Sequence, residues 1–265
     1  MREPAKLKTK LEVERLRLAA VALERVFAEL ALIMKPGTRT DDVEHVVDLA
    51  LKRHGLEGVL DGYRGYPSVV CTSVNNVAAH GLPGLHVLTT GDIITVDISA
   101  DLAGWKADAA WTYGVGALKP AERRLMRAAW RSTMAGAAAA RPGARLGDIG
   151  AAIEREAHKL GCSVVREFTG HGIGTELHEP PVIPHHGEAG TGPELQPGMV
   201  FNIEPVLTLG LGTVTQLEDG WSFITADGSV SAQYEVTVAV REDGPEVLTL
   251  GRIADEVRMG YPPYG

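Results

Sequence analysis

Four acidic residues sit in short, β-prone stretches where a lone carboxylate is costly to bury: Asp97, Asp108, Glu204 and Glu235. The stretch from Gly91 to Ala100 alternates, with Ile94, Val96 and Ile98 on one face and Thr95, Asp97 and Ser99 on the other. A tight connection around Asp101 to Gly104 leads into a second strand, Lys106 to Tyr113, and a hairpin centred between Leu102 and Ala103 pairs Asp97 directly with Asp108. Their Cβ atoms are then about 5 Å apart, a destabilising arrangement unless a cation lies between them. Glu204 ends the apolar run Met199 to Ile203, and Glu235 falls in the strand Gln233 to Val240, reached by a hairpin through Asp227-Gly228. Acids from four strands supply hard oxygen ligands which, in pairs, suit two divalent ions about 3.5 to 4 Å apart. His171 offers a nitrogen donor, and its neighbours Gly170 and Gly172 let the backbone place it freely. The same turn continues to His178-Glu179, and His80 occupies the comparable loop before Asp97. His45, His54, His86, His158, His185 and His186 fall on helices or in polar loops and read as ordinary.

The elements that must position these groups occur twice. Lys35-Pro36-Gly37-Thr38-Arg39-Thr40-Asp41-Asp42-Val43 reappears as Arg141-Pro142-Gly143-Ala144-Arg145-Leu146-Gly147-Asp148-Ile149. Each copy opens a helix that closes on a glycine, Gly55 or Gly161, and each is preceded by another helix, one over about residues 11 to 34 and one after Pro120. At nearly the same offset, Leu88 to Asp97 matches Leu195 to Glu204. One long unit repeated once points to two similar halves about an approximate dyad, roughly 11–115 and 119–240, which bring Asp97 and Glu204 to equivalent places near the axis.

The chain has 265 residues, 23% of them charged and 45% hydrophobic, with a net charge of −8. This composition is that of a globular protein, and no apolar run approaches the roughly 20 residues of a membrane span. The net negative charge, without a Lys/Arg-rich block, argues against nucleic acid or an anionic membrane as partner. Two cysteines and an N-terminus without an apolar core are read as a cytoplasmic chain without disulfides. No helical His-Glu-x-x-His, P-loop, Rossmann glycine pattern or Gly-x-Ser-x-Gly elbow is present.

The chain resembles the type I methionine aminopeptidases over about residues 7 to 240. The residues that carry the resemblance are Gly62 to Pro67 with Cys71, His80-Gly81-Leu82-Pro83, Gly91-Asp92-Ile93 through Asp97, Asp108, Gly170 to Gly174 with His178-Glu179, Gln196-Pro197-Gly198-Met199, Glu204-Pro205, Trp221 and Ser231 to Glu235. The resemblance implies an α+β pita-bread fold, two pseudo-symmetric halves with a central curved antiparallel sheet covered by helices, as a single catalytic domain over 1–265. It further implies ligation of two divalent ions (Co, Mn, Fe or Zn) by Asp97, Asp108, His171, Glu204 and Glu235, with Asp108 and Glu235 bridging. Glu204, His80 and His178 are then the catalytic residues, and Tyr63, Tyr66, Cys71, Leu177 and Trp221 line the side-chain pocket with them. The expected substrates are peptide or nascent-chain N-termini carrying methionine, handled by a monomer.

Three positions depart from the family's usual pattern: Val236 stands where His usually follows Glu235, Ala109 where Thr or Ser usually follows Asp108, and Leu177 where a larger Phe or Met is typical. These open the alternatives of a related pita-bread aminopeptidase or a peptide-binding pseudo-enzyme. The extra N-terminal domain of Xaa-Pro peptidases and the inserted helical subdomain of type II methionine enzymes are not found in the sequence.

Overall fold

The computed structural model describes residues 4–249; residues 1–3 and 250–265, which the single-domain expectation includes, lie outside the described residues. Four helices are α1 Lys10–Leu30, α2 Thr40–Arg53, α3 Pro120–Ala139 and α4 Leu146–Lys159. The strands that build the site are β1 Cys71–Val74, β2 Ile93–Leu102, β3 Trp105–Gly114, β4 Thr169–Gly172, β5 Glu179–Pro184, β6 Val200–Ile203, β7 Val206–Thr208, β8 Ser231–Gln233, β9 Val236–Arg241 and β10 Gly244–Val247.

The start of α1 is set by a capping box, in which the Thr9 side chain accepts from the Glu12 N–H and Glu12 returns a bond to the Thr9 N–H at 2.7 Å. The helix ends at Leu30, short of the expected residue 34, because the Leu32 and Ile33 N–H groups turn back to Glu29 and Leu30 in tighter i, i+3 bonds. Both copies of the repeated segment make the same local bonds. The Gly37 and Gly143 N–H groups donate to the Leu88 and Leu195 carbonyls, and the Arg39 and Arg145 N–H groups donate to Asp42 and Asp148.

One antiparallel sheet contains β2 between β1 and β3, and a second runs β10-β9-β6-β4-β5. The first sheet meets the chain leading into β9 where the Glu235 N–H donates to Ala110 O at 2.9 Å, and it meets β8, which pairs with β7 in a separate sheet, where Thr112 Oγ1 donates to Gln233 O at 2.6 Å. Behind this junction Trp111 and Tyr234 meet edge to face at 4.8 Å, with Trp130 of α3 5.3 Å from Trp111. Trp111, Tyr234, Phe27 and Phe201 are among the largest fully buried side chains, so the core lies between the helices and the back of the sheets. The chain is α+β, with both faces of β2 and β3 largely covered.

Candidate metal centre and peptide pocket

The β2–β3 hairpin turns through Ala103 (φ 52°) and Gly104 (φ 87°), a two-residue connection with both central residues left-handed. Its centre is one residue later than the sequence suggests. Asp97 therefore pairs with Ala110, and Asp108 pairs with Ser99. The expected direct Asp97–Asp108 pairing is corrected: the two acids are diagonal neighbours on one face. Asp101, whose Oδ1 accepts the Gly104 N–H at 2.8 Å and whose Oδ2 meets Lys106 Nζ at 2.5 Å, stabilises this turn.

Cys71, Asp97, Ala110 and Glu235 form a cross-strand row. Ala110 lies between the two carboxylates, and its small side chain leaves space there. The strand expected from Gln233 to Val240 is broken into β8 and β9, with Tyr234 buried and Glu235 bridging to Ala110. The turn at Asp227-Gly228 exists, with the Gly228 N–H bonded to Thr225 O, but it does not make a hairpin. The strand before it, Phe223–Thr225, joins the strands Val214–Gln216 and Val77–Ala79, whereas β8 pairs with β7.

His171 is on β4 and not in a loop, and neither flanking glycine has a positive φ. Their role is close approach: a Cβ on Gly170 would come 2.1 Å from Asn202 O, and one on Gly172 would come 2.4 Å from Pro180 O. His171 Nδ1 lies 3.1 Å from Gly172 O, which can only accept, so Nδ1 carries the proton and Nε2 faces the acids. Nε2 is 3.5 Å from both Asp108 Oδ2 and Glu204 Oε1. One ligand atom each from Asp108, His171 and Glu235 lie within 4.8 Å of one another.

Burial, followed by the charges of Asp108 and Glu204, drives Asp97 well above the usual carboxylate range. Glu235 is raised well above it for the same reasons, with burial again the largest. Burial pushes Glu204 up to about 8 against the opposing charge of His171. Burial acts to lower His171, but its hydrogen bond to Asp108 and the charge of Glu204 outweigh this and raise it to about 9. One imidazolium cannot neutralise four carboxylates, and Glu204 Oε1 is buried without a protein hydrogen-bond partner. Hard oxygens around an orphaned carboxylate, with one imidazole nitrogen fixed toward them, fit a divalent-cation site.

Several supporting residues were not singled out by sequence. Ser99 Oγ donates to Asp108 Oδ1 at 2.7 Å, and Asn202 Nδ2 donates to Glu235 Oε1 at 2.8 Å and Asp108 Oδ2 at 3.2 Å. Thr237 Oγ1 orients that amide by donating to Asn202 Oδ1 at 2.8 Å. Strand alternation is the signal that could have found them, because each stands two residues from an acid on the same strand face or directly across from one. His185, read as ordinary from sequence, is fully buried, and its Nε2 accepts the N–H groups of Gly170 at 3.1 Å and Glu204 at 3.2 Å. Burial and the nearby His186 and His171 pull it down to about 3, so it is neutral. Ala109 and Val236 alternate away from Asp108 and Glu235 into the main core cluster, so their departure from the family pattern falls on the packed face.

The acids and His171 line a cavity of about 530 Å³ with Cys71, Leu177, Leu60 and Phe168. His80 and His178 also line it. Burial lowers His80, whose ring is edge-on to Phe168 and Phe223. His178 is lowered to about 4 by burial and then by His171, whose ring is 4.1 Å away. Tyr63, Tyr66 and Trp221 do not line this cavity. Tyr63 stacks on His178 with its hydroxyl 2.7 Å from Nδ1, while Tyr66 is buried near Cys71 and meets Trp221 edge-on at 5.2 Å.

Residues 14–242 match the model of metallopeptidase family M24. The chain is 42% identical over 246 residues to methionine aminopeptidase A of Synechocystis sp., covering 92% of this chain and 97% of that protein. It is 40% identical over 242 residues to methionine aminopeptidase 1 of Bacillus subtilis, covering 91% and 98%. The crystal structure of methionine aminopeptidase from Thermotoga maritima superposes with a TM-score of 0.90 at 37% identity, covering 93% of this chain and 99% of that one.

Proposed function

Because the chain belongs to metallopeptidase family M24 and has its pita-bread fold, we propose that it is a two-metal aminopeptidase that hydrolyses the N-terminal peptide bond of chains beginning with methionine. The observation that carries this reading is the convergence of Asp97, Asp108, His171, Glu204 and Glu235 on one cavity whose apolar wall includes Cys71 and Leu177. These five residues would hold the two divalent ions, drawn from Co, Mn, Fe or Zn, with Asp108 and Glu235 offering the most buried carboxylates. When bound, the ions supply the positive charge that makes water a nucleophile near neutral pH and polarises the scissile carbonyl.

The chain's own groups do the rest. Glu204, buried in the cavity beside His171, accepts a proton from the attacking water as a carboxylate and returns it to the leaving amine. His178 stays neutral, and a Tyr63 hydroxyl donating to Nδ1 leaves the His178 proton on Nε2 to bond the substrate carbonyl. His80, kept neutral among apolar rings, holds the peptide on the opposite side. Leu177 and Cys71 form the wall for the methionine thioether, with Tyr66 and Trp221 behind Cys71. Asp97 and Asp108 come from the first half of the chain and His171, Glu204 and Glu235 from the second, so the two halves act as one catalytic unit, read as a monomer, on peptide or nascent-chain N-termini. Free, buried Cys71 and Cys162 support a cytoplasmic setting, and no described helix is long and apolar enough to cross a membrane.

The test is hydrolysis of Met-Ala-Ser by protein reconstituted separately with Mn, Fe, Co and Zn, alongside the same peptide carrying other N-terminal residues. Release of methionine ahead of the rest supports the reading. Tight peptide binding without cleavage under every metal would replace it with the peptide-binding alternative.

A further inference from the structure

The segment before α1 reaches across to the loop that carries Leu177 and His178. Lys8 Nζ lies 2.5 Å from Glu179 Oε2, and the two side chains are only 7% and 2% exposed. Lys6 Nζ is a looser partner, 3.7 Å from Glu179 Oε1 and 58% exposed. Glu179 directly follows His178 and begins β5, and its Oε1 is also 3.4 Å from the Glu176 N–H inside the same loop. A Cβ on Gly174 would come within 2.6 Å of both Glu179 Oε1 and Lys8 Cε, so the backbone gives up a side chain where the ion pair passes.

Lys8 is itself held on both sides. Its N–H donates to Gly198 O at 2.7 Å, and the next residue, Thr9, is the capped start of α1. Leu177 belongs to the buried cluster that contains Val13, Leu16 and Ala20 of α1, so helix and strap together back the loop. The far end of the loop is tied to the central hairpin, where the Lys106 N–H donates to Gly174 O at 2.9 Å.

We infer that Lys8 is a positioning residue for substrate: its buried ion pair with Glu179 holds residues 173–179, and with them Leu177 and His178, against the metal centre. This rests on the reading that Leu177 and His178 touch the peptide. Without the Lys8 ammonium, the carboxylate in this dry site keeps only the long Glu176 N–H contact and the exposed, more distant Lys6 ammonium, and the loop relieves this by moving Glu179 toward Lys6 and water. His178 and Leu177 move with it, while the proposed metal ligands lie outside residues 173–179: His171 on β4, Asp97 and Asp108 on the central hairpin, and Glu204 and Glu235 just after β6 and β8.

The experiment uses the full-length metal-loaded protein and its Lys8→Met, Lys8→Arg and Lys8→Met/Glu179→Gln variants. It measures amide hydrogen exchange over 173–179, bound metal, and kcat and KM for Met-Ala-Ser. Lys8→Met is expected to speed exchange in that loop by at least about tenfold with α3 and α4 unchanged, and to raise KM about tenfold with metal content intact; Lys8→Arg restores both. The double variant removes the stranded charge, so it folds, yet its loop still exchanges faster and its KM stays high. Wild-type exchange and KM in Lys8→Met, a double variant that matches wild type, or Lys8→Arg no better than Lys8→Met would each overturn the inference. If the wild-type protein cleaves no peptide, the functional reading fails, and the exchange comparison alone still decides the role of Lys8.

Discussion

The Ser99 hydroxyl donates to Asp108 Oδ1 across 2.7 Å from the position directly opposite it in the central hairpin. It fixes one oxygen of a carboxylate proposed as a metal ligand, leaving Asn202 to hold the other. Removing such a support typically costs about 10- to 100-fold in metal affinity. Ser99→Ala is therefore expected to weaken metal binding by about tenfold in calorimetric titration, with Tm of the metal-free protein nearly unchanged.

Glu204 combines a buried Oε1 that accepts no hydrogen bond, with His171 Nε2 3.5 Å away, and a proton affinity raised to about 8 in the metal-free protein. Glu204→Gln keeps the shape and removes the proton carrier. Turnover of Met-Ala-Ser should fall at least about 100-fold while circular dichroism stays native. Near-normal kcat in that variant would refute the role.

Metal-free protein should become less stable as pH rises. Glu204 has a folded value of about 8 against an ordinary 4.5, so the folded state binds its proton more tightly than the unfolded state. Its contribution is full below about 4.5 and is lost as pH rises through about 8. His171, raised from 6.5 to about 9, acts with the same sign: its contribution is present below 6.5 and lost as pH rises through about 9. Tm of chelator-treated protein should thus drop between about pH 6.5 and 9; below about 6.5 His178 and His185, held neutral in the fold, act with the opposite sign because the unfolded chain takes up their protons. Metal-loaded protein should show no such fall above about pH 6, and its activity should vanish on chelation. A flat Tm profile for the metal-free form would count against this electrostatic picture.

His185 Nε2 accepts two N–H groups, from Gly170 beside one proposed ligand and from Glu204 itself. In His185→Ala both donors lose their buried partner, at about 1 to 3 kcal/mol each. Thermal denaturation should show a loss of several degrees, together with weaker metal binding. His185→Gln, which can place one carbonyl oxygen near both donors, should recover part of each.

Leu177 is 2% exposed and lines the cavity, so in the proposed side-chain pocket its size would set one dimension. A single apolar group is worth about 1 to 3 kcal/mol of discrimination. The protein should prefer Met-Ala-Ser but cleave Leu-Ala-Ser detectably, and Leu177→Phe should increase the ratio of the two kcat/KM values. An unchanged ratio would remove Leu177 from the specificity wall.

The sequence by itself determined the kinds of elements and the cast of the site. Helical periodicity, the repeated Pro-Gly segment and the alternation around Asp97 are local properties, expressed by the chain wherever it packs. Carboxylates in apolar strands announce a cation because their burial has a cost that composition alone makes visible. Tertiary structure decided which atoms meet. The hairpin register depended on where left-handed residues fell, at Ala103 and Gly104, and a shift of one position at the turn moved the partner of Asp108 from Asp97 to Ser99. The roles of Gly170, His185 and Lys8 were hidden for a different reason. Each acts on a segment distant in sequence, Asn202, Glu204 or Glu179, and only the packing of strands and strap brings the backbone carbonyl, the paired N–H groups or the buried carboxylate within reach.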